Sequence, residues 1–169
     1  MRRRGGRFAL GLAIAILVLV ADQATKWAIL DAMRPAGEMA TPFAAAAPMR
    51  VLPILDLALV WNRGISFGVG NTGSGWNVIV FAALAIAIGA VLLGWMTRAK
   101  RAPLVLALGF VVGGAAGNLV DRLRFGAVVD FVYVHVGAFD WFPAFNLADS
   151  SITIGAVLLA IDSLFGGRD

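Results

Sequence analysis

Four apolar stretches dominate this chain of 169 residues, at 8–30, 76–96, 103–120 and 148–165. Each approaches the roughly 20 residues that cross a bilayer as a helix. A chain inside hydrocarbon must satisfy its own backbone polar groups, which restricts such segments to helices or a closed barrel. Runs this long and this apolar select helices. Charged residues make up 14% of the sequence and hydrophobic ones 60%, whereas an ordinary soluble domain is about a quarter charged. The expected fold class is an all-α integral membrane protein with four transmembrane helices. It forms a single membrane domain over 1–169, with two longer connecting segments at 31–75 and 121–147.

The first stretch begins like a signal peptide, with Met1-Arg2-Arg3-Arg4 ahead of an apolar run. It continues through Asp22 and Lys26 to Leu30 without a small-residue cleavage site, so it reads as a retained span. Arg2, Arg3, Arg4 and Arg7 precede it; Arg98, Lys100 and Arg101 fill the short link between the second and third spans; Arg168 closes the chain. Four spans put all three groups on one side, and the positive-inside rule makes that side cytoplasmic. The expectation is N-in and C-in, with both longer segments outside. These basic flanks hold eight of the fourteen Lys and Arg, so the net charge of +4 is no nucleic-acid footprint. Cysteine is absent, which excludes disulfides, thiol nucleophiles and thiolate metal sites.

In the first outer segment, the AGEMATPFAAAAPMR stretch reads as a loop, and the Val51–Asn62 run that follows as a strand. Leu55, Leu57, Leu59 and Trp61 alternate with Asp56, Ala58, Val60 and Asn62, the period of two that a strand requires. Asn71-Thr72-Gly73-Ser74-Gly75 reads as a turn. The second outer segment carries a strand at 128–136, then the aromatic residues Phe139, Trp141, Phe142 and Phe145, which suit the headgroup layer.

Against this background the polar residues stand out. Asp130 lies in a valine-rich strand and Asp149 where the fourth span begins. A carboxylate beside hydrocarbon is costly and usually has a task in a bundle interior. Each also has an ordinary reading: Asp130 as an edge-strand charge in water, Asp149 as a helix cap, a role for which Asn146 competes. Asp22 and Lys26 are four residues apart with the acid first, the better order for a pair on one helix face. They either neutralise each other or wall a polar site. In Asn62-Arg63-Gly64 the plain reading is a turn, with Gly64 supplying an unusual backbone angle. Gly113 and Gly117 form a small-xxx-small pattern for close helix packing. Asn118, Asp121 and Arg122 follow; Asp121 beside Arg122 suits a local ion pair, whereas a buried Asn118 needs partners for donor and acceptor alike. Asp162 reads as interfacial, and His135 as an outer-surface residue rather than a catalyst.

One histidine and no cysteine cannot build a usual zinc site, and neither an H-E-x-x-H motif nor a G-x-S-x-G motif occurs. If the chain is a hydrolase, paired carboxylates are the economical chemistry. Two that meet cannot both ionise cheaply and titrate as a coupled pair. The ionised member takes a proton from water while the protonated one donates to the scissile carbonyl.

Five segments, in order, resemble the motifs of the lipoprotein signal peptidases (signal peptidase II), bacterial membrane aspartic peptidases: Asp22-Gln23-Ala24-Thr25-Lys26; Asn62-Arg63-Gly64-Ile65-Ser66-Phe67; the run from Gly114 to Arg122; Val128-Val129-Asp130-Phe131; and Phe145-Asn146-Leu147-Ala148-Asp149-Ser150. The resemblance implies that Asp130 and Asp149 are the catalytic dyad. It implies that Asp22, Lys26, Asn62, Gly64, Asn118, Asp121, Arg122 and Asn146 bind substrate or brace the site. It further implies a small extracytoplasmic β-sheet on the membrane surface, with a short mobile element near Phe67–Gly75. The expected substrates are diacylglyceryl-modified prolipoproteins, cleaved before the lipidated cysteine at the outer, periplasmic face of the bacterial inner membrane. No cofactor, metal or nucleic acid is expected; the partners are substrate and membrane lipids, and the enzyme acts as a monomer. Two other classes are weighed. One is a small four-helix ion- or proton-coupled transporter using Asp22, Lys26 and Asp149, which the clustering of polar residues at the outer span ends disfavours. The other is a structural subunit, for which so many outer Asp and Asn residues would be wasteful.

Overall fold

The computed structural model describes residues 2–33, 46–64, 75–135 and 143–165. Its elements are α1 (Arg2–Ala32), β1 (Met49–Leu52), β2 (Leu55–Asn62), α2 (Gly75–Arg98), α3 (Ala102–Phe125), β3 (Val128–Val134) and α4 (Leu147–Phe165). All four helices are long and apolar enough to cross a membrane. Large side chains such as Trp27, Trp76, Val91 and Leu164 are exposed on them, the surface a bilayer covers. The expected turn at 71–74, the residues of the alanine-rich loop before 46, the mobile element up to 74, and Phe139, Trp141 and Phe142 lie outside the described residues.

Several boundaries differ from expectation. The strand foreseen over Val51–Asn62 is a hairpin: β1 and β2 pair antiparallel with Leu52 opposite Leu55, and the chain reverses at Pro53-Ile54. Proline has no N–H for a ladder and a fixed φ, so the run breaks there. Met49 and Arg50, read as loop, belong to β1. Helix α3 runs past 120 to Phe125 and ends where Gly126 takes φ 70°. The Gly126 N–H reaches Arg122 O at 3.0 Å, a left-handed cap that glycine adopts without steric cost. β3 begins two residues later and stops at Val134, short of 136.

By its contacts the chain divides into two units. The first comprises Met1–Asp22, Leu84–Gly117 and Leu147–Asp169 and is purely helical among its described residues. Met96, Ala99, Val105 and Leu108 form its buried core, with Phe8, Leu92, Leu104, Val112 and Leu159 packed around them. Glycines let its helices touch. A Cβ on Gly109 would lie 2.7 Å from Gly11 O, one on Gly113 2.6 Å from Ala15 O, and one on Gly117 would strike the Asp22 carboxylate. The small-residue pattern at Gly113 and Gly117 is thus a close seam against α1, and Gly109 extends it by a turn. On α4, Gly155 does the same against Ala107 O, at 2.8 Å. Arg101 and Asp162 pair at 2.6 Å.

The second unit comprises Gln23–Ala83 and Asn118–Asn146. Its centre is a three-stranded antiparallel sheet in the order β1-β2-β3. Trp61 of β2 packs edge-to-face on Phe125, the last residue of α3, with ring centroids 5.5 Å apart. At the hairpin end, His135 is buried rather than on the outer surface. Its N–H donates to Ile54 O at 3.0 Å, and its Nε2 lies 3.2 Å from Asp56 Oδ2.

Candidate active site

Asp130 sits in β3 with Val60 as its cross-strand partner and is 2% exposed. The edge-strand reading of a carboxylate in water does not hold. Asn62, diagonal to it on β2, donates from Nδ2 to Asp130 Oδ2 at 3.0 Å. Asn146 donates from Nδ2 to Asp130 Oδ1 at 2.7 Å. Each oxygen therefore receives an amide N–H, the environment a carboxylate requires when taken out of water.

Both amides are themselves oriented. Asn62 Oδ1 accepts the Gly64 N–H at 3.0 Å, an Asx turn that aims the Asn62 NH2 toward Asp130. The turn is thus made by the Asn62 side chain; among the described residues the left-handed glycine is Gly126, not Gly64. Arg122 donates to Gly64 O at 3.2 Å and Asn118 O at 3.3 Å, with its guanidinium 5.6 Å from the Phe81 ring centre. Asn146, fully buried, also donates from Nδ2 to Val129 O at 3.2 Å and Asn118 Oδ1 at 3.1 Å.

Behind these amides lies a buried ion pair. Lys26 Nζ is 2.7 Å from Asp121 Oδ2 and donates to Asn118 Oδ1 at 3.0 Å. Asp121 further accepts Gln23 Nε2 at 2.9 Å and the backbone N–H of Val129 at 3.1 Å. Asn118, Asp121 and Arg122 fall at i, i+3 and i+4 on one face of α3, as the helix continues beyond 120. The Gly126 cap then turns the chain so that β3 starts beside that face. Lys26 thus has long-range partners that its spacing from Asp22 did not suggest, and Asp121 is engaged with α1 and β3.

Asp22 and Asp149 belong to the helical unit. Asp22 is fully buried and its Oδ1 accepts the Ala148 N–H at 2.9 Å, satisfying one of the unpaired amides that open α4. Helix α4 begins at Leu147, so Asn146 rather than Asp149 precedes its first residue. Asp149 is half-buried in the first turn, where the helix dipole favours a carboxylate. In sequence it follows Asn146, the amide on Asp130, by three residues.

The structure thus brings Lys26, Asn62, Gly64, Asn118, Asp121, Arg122 and Asn146 together with Asp130, and sets Asp22 at the start of α4 with Asp149. Two contributors carried no role in the sequence reading. Gln23 lies three residues before Lys26, on the same helix face, and that spacing was its signal. Gly126 stands between a helical run and a valine-rich strand, a helix-stop signal. Among the described residues no three carboxylate or imidazole groups form a metal-ligand cluster.

Comparison with known proteins agrees with this architecture. Residues 14–165 match the family described as signal peptidase (SPase) II. The chain is 43% identical over 161 residues to the lipoprotein signal peptidase of Burkholderia thailandensis, covering 95% of this chain and 90% of that protein. It is 41% identical over 162 residues to that of Paraburkholderia phymatum, with the same coverage. A solved structure described as a bacterial membrane enzyme, determined in meso at 2.3 Å, superposes with a TM-score of 0.75 at 30% identity, covering 92% of this chain and 88% of that one. A second, at 1.9 Å, gives 0.72 at 28% identity, covering 94% and 95%.

Proposed function

The chain belongs to the signal peptidase II family, and from that premise we propose an aspartic endopeptidase with Asp130 and Asp149 as its catalytic dyad. Membership makes it a multi-pass bacterial membrane peptidase that removes signal peptides from lipoprotein precursors. The finer reading is that its substrates are diacylglyceryl-modified prolipoproteins in the inner membrane, cut just before the lipidated cysteine. The chain is N-in and C-in, the site opens on the periplasmic face, and a monomer held by its lipids suffices.

The observation that carries this reading is the environment of Asp130. A carboxylate only 2% exposed, with an amide donor on each oxygen, is held in one orientation and kept acceptor-ready, as a general base on water requires. Its partner in the dyad donates a proton to the scissile carbonyl as the tetrahedral intermediate forms, and the proton taken from water passes on to the leaving amine. Asn146 links the two acids in the chain: it holds Asp130 and precedes Asp149 by three residues. Asp22, on Ala148 N–H, steadies the turn that carries Asp149.

The test is cleavage of lipidated and unlipidated precursor by purified enzyme in detergent, with chelator present. Asp130→Asn and Asp149→Asn should each remain folded and abolish cleavage, and the parent should require the lipid and withstand chelation. Normal turnover by either variant overturns the assignment.

A further inference from the structure

We propose that Lys26 is a positioning residue for Asp130, fixing the sense in which two asparagine amides pass hydrogen bonds to that carboxylate. The inference rests on the aspartic reading above and extends it to a residue two side chains from Asp130. The path is continuous in one unit. Lys26 Nζ donates to Asn118 Oδ1 at 3.0 Å; Asn146 Nδ2 donates to the same oxygen at 3.1 Å and to Asp130 Oδ1 at 2.7 Å.

An asparagine amide has a donor end and an acceptor end, so two amides in contact can bond in either of two senses. An ammonium only donates. With Lys26 in place the Asn118 oxygen must face inward, and that oxygen demands the NH2 end of Asn146. The carbonyl of Val129, which can only accept, calls for the same NH2 end at 3.2 Å and reinforces this sense, the two N–H hydrogens of Asn146 being shared among Asn118 Oδ1, Val129 O and Asp130 Oδ1. In the reversed sense the Asn146 oxygen would face Asp130, which an ionised carboxylate repels but a protonated one accommodates by donating its own hydrogen. The sense of the amides is therefore coupled to the state of Asp130, and Lys26 biases both toward the carboxylate.

The charged groups nearest this path include Asp121, Arg122 and the fully buried Asp22, one turn before Lys26 on α1 with its carboxylate against Gly117. Lys26 is faced by Asp121 of α3, at 2.7 Å, with Gln23 of its own helix on the same carboxylate. Asp121 also holds the Val129 N–H, one residue from Asp130. From α3, Arg122 contributes at Gly64 O and Asn118 O; from β2, the neutral Asn62 meets Asp130. The ammonium and its carboxylate offset each other as charges. What Lys26 adds is direction.

The experiment compares the parent, Lys26→Met and the double variant Lys26→Met/Asp121→Asn on lipidated precursor across pH. Removing one member of a buried pair destabilises strongly, and the double variant removes both charges while keeping an acceptor for Val129 N–H. It should unfold near the parent temperature, keep the parent KM, and lose at least about tenfold in kcat, the scale of one positioned hydrogen bond. The acidic limb of its kcat/KM profile should move to higher pH, because a carboxylate that loses its donors loses stabilisation of the charged form. Recovery of kcat together with stability would reduce Lys26 to a fold-holding role and overturn the proposal. A second measurement leaves the ion pair intact. In the parent, the side-chain amide resonances of Asn118 and Asn146 should shift together through the acidic limb, and in Asp130→Asn they should not. An Asn118 amide blind to that titration also overturns it. Inactive Asp130→Asn beside a fully active double variant rejects the relay alone; active Asp130→Asn rejects the dyad itself.

Discussion

Asp22 of α1 caps a helix to which it does not belong: its Oδ1 accepts the N–H of Ala148, 126 residues onward, at 2.9 Å. The carboxylate is fully buried and lies where any side chain on Gly117 would collide with it. Helix α4 thus opens on an acceptor supplied by another span. Asp22→Ala should destabilise the protein by about 1–2 kcal/mol, the range for a lost N-terminal cap, and reduce cleavage because Ala148 adjoins Asp149. Asp22→Asn retains an acceptor oxygen and should recover most of the loss in Tm, read by thermal unfolding in detergent.

The glycine seam predicts a graded series. Gly113→Ala drives its methyl into Ala15 O and Val18, and Gly109→Ala into Gly11 O. Backbone cannot step aside as a side chain can, so each should cost about 1–3 kcal/mol. Gly94, with nothing within 4 Å of its missing Cβ, should accept alanine with no loss or a gain of a few tenths of a kcal/mol. Equal Tm values across the three would contradict the seam.

Asn146→Asp is the sharpest test of the amide that holds Asp130. It sets an oxygen against Asp130 Oδ1, Val129 O and Asn118 Oδ1, where an NH2 now donates. Two carboxylates at that separation bind a proton more tightly folded than unfolded. The native state then carries more protons, so the variant's stability should fall as pH rises through the ordinary aspartate range and recover on acidification. Unfolding scans from pH 4 to 8, with the parent alongside, give the sign directly. Activity at neutral pH should drop by about a hundredfold or more, the scale of a misdirected general base.

His135 supplies a control. It is the sole histidine in the chain, and its ring is bound up with Asp56 at the hairpin end of the sheet. His135→Asn should lower Tm by at most a few degrees and leave kcat within about threefold of the parent, since Nε2 lies 3.2 Å from Asp56 Oδ2 without forming a hydrogen bond. A collapse of kcat with intact folding would place a histidine in the chemistry and count against the carboxylate dyad.

What the sequence disclosed, and what it withheld, follows from the range of each signal. The four spans and a strand over Leu55–Asn62 are legible because hydropathy and period are local, although a register shift between Leu57 and Val60 interrupts the alternation itself. Gly113 and Gly117 were legible as a packing pattern for the same reason. The hairpin at Pro53 was locally encoded too, but the flanking β-rich residues masked it. Lys26 with Asp121 was not legible: their partnership depends on how α1 lies against α3, which spacing within α1 cannot carry. The burial of Asp130 was likewise hidden, because it arises from Asn62 and Asn146, residues far apart in the chain. The ordered motifs named those residues, but nothing in the sequence said which atom met which.

The side of β3 away from β2 has one further consequence. The Val129 N–H and C=O are taken by the side chains of Asp121 and Asn146, and Phe131 and Val132 by the backbone of Phe145. A three-stranded sheet ordinarily offers two open borders to any extended polypeptide, and here the border beside Asp130 is already occupied. Over Val129–Val132 an extended polypeptide finds the main-chain positions of a fourth strand already taken. Among the described residues, a stray β-segment arriving at Val129–Val132 meets main-chain groups that already have partners, so this stretch resists the edge-to-edge pairing to which an open border is liable.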